Sequence, residues 1–292
     1  MITTIENKPR ALIFVLVCIV FWSFAGVASK LGQQHLDNYQ FLFWSSLLSF
    51  VVLLISTIIV GKFKYFKSYT LKQFFIAIGL GFLGTFLYYL LLYFGYAHAK
   101  GLEVLVIQYT WPIFIVIFSV LFLREKITWK TILAIILGFF GVLIVLTKGN
   151  FASINLTSFS TDFVVLFSAI IFGIFLVLSK KVEFEPFSVT TLFFLSATIF
   201  SFFSMLIFSS FATPVKSELI PILGNGIFIN GLSYVLWLKS LSYAKASFIA
   251  PFVFLAPVLA AILIVLFFHE IFLPVYIVGL FLVICAGIIQ NS

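Results

Sequence analysis

Four places in the sequence carry polar or aromatic-polar side chains inside otherwise apolar runs. Gln108, Trp111 and Pro112 fall at i, i+3 and i+4, one face of a helix, and Pro112 removes a backbone hydrogen-bond donor there. Asn230, Ser233, Tyr234 and Trp237 make a second polar stripe at the same spacing. Tyr88 and Tyr89, together with Thr85, form a third group, and Trp22 with Ser23 a fourth. Amides and phenols hydrogen-bond a polar head while indoles and rings hold an apolar body, so the set suits the binding of a small amphipathic solute. For each residue the alternative is a hydrogen bond to a neighbouring helix.

Bond-making chemistry finds little support. His35, His98 and His269 are scattered at the ends of apolar runs, and neither H-E-x-x-H nor G-x-S-x-G occurs. No catalytic residue, metal ligand set or cofactor is therefore expected, and an intramembrane enzyme is a minor alternative. The absence of a G-x-x-x-x-G-K-[ST] phosphate cradle argues against a built-in ATP motor. A channel would want a ring of charge or a carbonyl filter, and neither is evident. Glu103, beside Lys100, reads as half of an interfacial ion pair rather than as a proton carrier. Cys18 and Cys285 sit inside apolar runs and read as small core residues.

The elements that must position these side chains are membrane helices. The chain has 292 residues, 63% hydrophobic and 9% charged, which excludes a water-soluble globule. Ten apolar stretches are predicted at 11–31, 40–60, 74–97, 102–123, 130–147, 162–181, 187–211, 219–240, 247–268 and 274–290. The first is read as a retained span rather than a cleaved signal, because it is long and has a counterpart later in the chain. With the N-terminus inside, thirteen of the 17 Lys and Arg lie on the inner side, against Lys30, Lys100, Lys148 and Lys216 outside. That bias predicts a multi-pass membrane protein with both termini cytoplasmic.

The chain also matches itself. A shift of 145 pairs Gly79 with Gly224, Gly81 with Gly226, Tyr89 with Tyr234, Pro112 with Pro257 and Glu125 with Glu270. A shift of 150 pairs Ser29-Lys30 with Ser179-Lys180. The duplicated unit is therefore five spans, with residues 1–150 as the first copy and 151–292 as the second. Five is odd, so the second copy enters the membrane inverted, a design that builds a substrate site near the midplane. The expected fold is all-α, ten transmembrane helices as two inverted five-helix repeats.

With Trp22 and Lys30 in the first span, and a central Pro followed by an apolar run and Glu in the fourth and ninth, the sequence resembles the drug/metabolite transporter superfamily, EamA type. The run from Leu102 to Pro112 is similar to that of bacterial aromatic amino-acid exporters, where an Asn-Tyr-Leu-Trp-Pro string stands; here Gln108 and Thr110 replace the Asn and the Leu. The resemblance implies a secondary transporter, with export as the direction, and the departure leaves the substrate open.

Inversion makes a further prediction. Lys30 and Glu270 end on one face, Lys180 and Glu125 on the other, so only these cross-copy pairs can meet. They are candidate gating pairs, one for each mouth; the alternative is that they are unrelated interfacial anchors. Together the residues point to alternating access for a small metabolite, an amino acid or similar zwitterion, bound by Trp22, Tyr88, Tyr89, Gln108, Trp111, Asn230 and Tyr234. Nucleosides and S-adenosyl compounds are the alternative cargo. The expected partners are the small-molecule substrate and the lipid bilayer, with no nucleic acid, and a homodimer stays open.

Overall fold

The computed structural model describes residues 6–99, 101–154, 159–182, 184–269 and 271–292, with side chains at all of these except 93, 96, 97, 101 and 102. Apolar runs this long have no water to satisfy their backbone, so they close their hydrogen bonds internally as helices. Among the described residues there is no strand. Nine helical stretches among the described residues are long and apolar enough to cross a membrane. They are span 1 (Lys8–Gly32), span 2 (Asn38–Ile59), span 3 (Leu71–Leu92), span 4 (Glu103–Leu123), span 5 (Trp129–Leu146), span 6 (Phe159–Lys181), span 7 (Pro186–Phe208), span 8 (Lys216–Tyr243) and span 9 (Ala246–Phe268). Span 10 (Val275–Asn291) is a shorter apolar helix of 17 residues, about 25 Å at the helical rise, close to the hydrocarbon thickness. The ten helices form two inverted sets of five.

Several spans that read as continuous in sequence are interrupted. Span 1 breaks at Phe24 between helices Lys8–Ser23 and Ala25–Gly32. Span 4 breaks at Tyr109 and Thr110, and helix restarts at Trp111 with Pro112 in its first turn, where a missing donor costs nothing. Span 9 has a 3-10 segment, Ala250–Phe254, around Pro251. Spans 3 and 8 each contain a wide π-helical segment, Phe82–Leu87 and Asn225–Leu232, at places related by the 145-residue shift. Such wide turns rotate the remainder of the helix about its axis and often mark functional sites.

Span 5 packs along span 10, and span 2 along span 7. Glycine allows the first: a Cβ on Gly279 would stand 2.7 Å from the Gly141 carbonyl oxygen. The second carries a buried hydroxyl pair, Thr57 with Thr191 at 3.0 Å. Span 1 packs on spans 8 and 9, and span 6 on spans 3 and 4.

Glu218 lies one residue before the predicted eighth span, yet the helix begins at Lys216 and buries it completely. Its carboxylate accepts the backbone N–H groups of His35 at 2.9 Å, Leu36 at 3.0 Å and Val215 at 3.0 Å, stapling the loop after span 1 to the start of span 8. Trp129, at the start of span 5, is exposed. Trp44 is half-buried and donates to the Ala212 carbonyl at 2.8 Å.

Candidate functional site

Spans 1, 3, 4, 8 and 9, with span 6 behind them, surround a cavity of about 640 Å³, within the range of small-molecule pockets. It exists because spans 1 and 9 face one another there through Ala25, Gly26, Ala256, Ala260 and Ala261, which leave the space between helices unfilled. Its inner end is aromatic. The Trp22 ring meets Trp111, Tyr234 and Trp237 at centroid distances of 5.9, 6.1 and 5.6 Å. Tyr88 stacks on Phe172 at 4.1 Å. Trp22 Nε1–H donates to Ser233 Oγ at 2.9 Å, which fixes the indole.

Of the seven side chains singled out in sequence for substrate contact, Trp22, Tyr88, Tyr89, Gln108, Trp111 and Tyr234 line this cavity. Gln108 Nε2 donates to the Tyr88 hydroxyl at 2.7 Å. Asn230 does not reach the wall. Its Oδ1 accepts the Tyr89 hydroxyl at 3.2 Å, so it reaches the cavity through that tyrosine. Tyr89 and Tyr234, equivalent in the two copies, approach hydroxyl to hydroxyl at 3.4 Å. Trp237, on the same predicted stripe, is buried outside the cavity, and its Nε1–H has no hydrogen-bond partner among the described residues.

Tyr109, Ser29, Gln33, Asn38 and Phe172 also line the cavity and were not singled out in sequence. Tyr109 follows Gln108 directly at the interruption of span 4, and both side chains line the cavity. Phe172 is one of 41 phenylalanines, and composition gives it no distinction.

The cavity extends from Trp22 and Tyr234 to Lys30, Gln33 and Asn38, the face where span 1 ends and span 2 begins. There the Lys30 ammonium lies 3.8 Å from the Phe268 ring centroid. Glu270, its expected partner, lies outside the described residues. Glu103 at the same end is buried, while Lys100 lies outside the described residues.

At the opposite face the end of span 4 meets the loop between spans 8 and 9. Arg124, in the left-handed region at φ 56°, turns the chain so that Glu125 points back, and its repeat mate His269 has φ 52°. The Glu125 carboxylate accepts Lys180 Nζ at 3.1 Å, Ala246 N–H at 2.9 Å, and from Ser247 both N–H at 2.9 Å and Oγ–H at 2.7 Å. Lys180 also donates to the Ala244 carbonyl at 2.6 Å. Burial alone would raise the Glu125 carboxyl, but Lys180 and the hydrogen bonds from Ser247 and Ala246 outweigh it and hold it below the usual value of 4.5. Among the described residues no group of three His, Cys, Asp or Glu is placed to hold a metal.

The chain is 25% identical to the uncharacterised transporter YoaV of Bacillus subtilis (strain 168), over 97% of each chain. It is 27% identical to the uncharacterised transporter YetK of the same organism, over 76% of this chain and 69% of that one. An uncharacterised transporter of Clostridium kluyveri is 23% identical over 97% of this chain and 93% of its own. A protein of known crystal structure shares the fold with a TM-score of 0.87 over 98% of each chain, at 17% identity. The model of the EamA-like transporter family matches twice, at residues 9–147 and 159–291, and this chain belongs to that family.

Proposed function

We propose that this membrane transporter is a secondary carrier for an amino acid or similar zwitterion, working by alternating access and exporting across the cell inner membrane. Residues 1–150 and 151–292 are the two halves that rock, with both termini cytoplasmic. The observation that carries the reading is a cavity open at one face and sealed at the other. Its inner end combines Trp22, Trp111 and Phe172 with the polar atoms of Gln108, Tyr88 and Tyr89. Rings suit an apolar side chain, while the amide and phenols suit a charged head whose desolvation needs hydrogen bonds.

On this reading Glu125 and Lys180 hold the inner mouth closed while the outer mouth stands open, and Lys30 with Glu270 is the corresponding outer pair. Glu125 ties the two copies together by bonding Lys180 of span 6 and the first turn of span 9, so releasing it removes one tie between span 4 and those spans.

Thermal-shift screening of the purified protein against amino acids, nucleosides and S-adenosyl compounds tests the cargo, because a ligand that binds the folded state raises Tm. The expected stabilising ligand is an amino acid, with affinity lowered about tenfold by Gln108→Ala and about fivefold by Asn230→Ala. Stabilisation by nucleosides alone would overturn the substrate class. Unchanged affinity in both variants would overturn the polar contacts.

A further inference from the structure

The cavity sorts its polar groups by depth. Its inner end holds rings, phenols and the Gln108 amide, while its mouth is lined by Ser29, Lys30, Gln33 and Asn38. Lys30 is the one charged side chain among the described residues of the wall, and no described acid lines it. Asp37, the acid nearest to it in sequence, is engaged elsewhere: its carboxylate accepts Gln40 N–H at 2.9 Å and the Ser209 hydroxyl. Rings alone suit a cation as well as an apolar body, but a cation here faces an ammonium with no described carboxylate to offset it. The charge of the wall therefore selects an anionic head.

The repeat mate shows what an ammonium at this place takes. Lys180, related to Lys30 by the 150-residue shift, holds the Glu125 carboxylate at 3.1 Å in the closed flank. In the open flank Lys30 makes no ion pair among the described residues, and its ammonium rests 3.8 Å from the Phe268 ring centroid. A ring face is the weaker partner, since a carboxylate adds charge-assisted hydrogen bonds. Gln33 Nε2 donates to Ser29 Oγ, and the Ser29 hydroxyl has no acceptor among the described residues, so its proton is left for a solute. Along span 1, Trp22 and Lys30 are about 12 Å apart at the helical rise, so a head at the mouth lets a body of one ring reach the indoles.

Resting on the carrier reading, and naming how the carrier meets the charged end of its cargo, we infer that the mouth is an anion subsite. The Lys30 ammonium holds the solute carboxylate, with Ser29, Gln33 and Asn38 as donors beside it. The ligand class is an organic carboxylate with an apolar body, its head at the mouth and its body against Trp22 and Trp111. In a zwitterion the ammonium falls toward the phenols of Tyr88 and Tyr89. Glu270, the partner proposed for Lys30 when the outer mouth closes, then replaces the solute at the same ammonium.

Protection from labelling tests this. In the purified full-length chain carrying Cys18→Ala and Cys285→Ala, Ala260→Cys puts a thiol on the cavity wall. Its rate with uncharged N-ethylmaleimide is read in the presence of hydrocinnamate or of hydrocinnamamide at constant ionic strength. The two probes share a shape and differ in charge. The carboxylate is expected to protect at a concentration about fivefold lower than the amide, a preference that Lys30→Gln removes and Lys30→Arg keeps. No protection by the carboxylate, equal protection by both probes, or a preference that survives in Lys30→Gln would overturn the subsite. Loss of the preference in Lys30→Arg as well would mark a structural role for the lysine and overturn it too. Counterflow separates this from the carrier reading. Amino-acid counterflow with no carboxylate preference removes the subsite alone, while a carboxylate preference with no counterflow of any amino acid keeps the subsite and removes the carrier reading.

Discussion

Glu125 gathers more of the molecule at one side chain than any residue of the cavity does. Its carboxylate faces one ammonium, two backbone N–H groups and a hydroxyl drawn from spans 6 and 9. Neutralising it strands Lys180 in a largely buried setting, so Glu125→Gln should cost about 3 kcal/mol, read as a lower Tm. The carboxyl is held below its unfolded value of 4.5, so its stabilisation is present above that pH and is lost as pH falls through the folded value. The Tm difference between the wild-type protein and Glu125→Gln should therefore be steady near neutrality and shrink below pH 4.5. A difference that grows on acidification would contradict the network. Sequence anticipated which Lys could face Glu125, because inversion leaves only cross-copy pairs. It did not anticipate Ala246 and Ser247, whose backbone donors have no signature in side-chain pattern.

At the scale of elements, the spans were legible because twenty apolar residues in a row have few other fates. Their interruptions were less so. Pro112 and Pro251 hint at breaks, but the π-helical segments Phe82–Leu87 and Asn225–Leu232 answer to tertiary contacts that no local pattern encodes. In the first segment the Thr85 hydroxyl donates to the Gly81 carbonyl at 2.6 Å and lies 2.9 Å from that of Phe193 in span 7. The cavity wall was half legible. Gln108, Trp111 and the tyrosines stand out as polar groups at membrane depth, whereas Ala256, Ala260 and Ala261 contribute by what they leave empty. Two neighbouring glycines separate packing from propensity. A Cβ at Gly81 would fall 2.6 Å from Phe193 Cα, while nothing lies within 4 Å of one at Gly79. Gly81→Ala should destabilise by about 2 kcal/mol through backbone displacement, and Gly79→Ala should stabilise by up to about 1 kcal/mol. Thermal melts of the two variants check both signs, and equal shifts would contradict the tight approach of span 3 to span 7.

For the whole molecule, inversion is what links the sequence repeat, the cross-copy interfaces and the one-sided cavity. The repeat was visible because Gly, Pro, Lys and Glu recur at a fixed offset; which face stands open was not, since both states share every residue. The proposed orientation has a direct check. Lys67→Cys and Lys130→Cys, in the chain lacking Cys18 and Cys285, should both react with an impermeant maleimide only from the cytoplasmic side, and Lys148→Cys only from the other. Opposite sidedness for positions 67 and 130 would break the ten-span arrangement. The central claim is that solute passes through the space where the copies meet. Proteoliposomes loaded with the unlabelled solute found by thermal shift, then given trace labelled solute outside, should accumulate label transiently above equilibrium. Ala260→Trp, which fills the cavity, should abolish that overshoot while the protein stays folded; an overshoot of undiminished size in the folded variant would contradict the account.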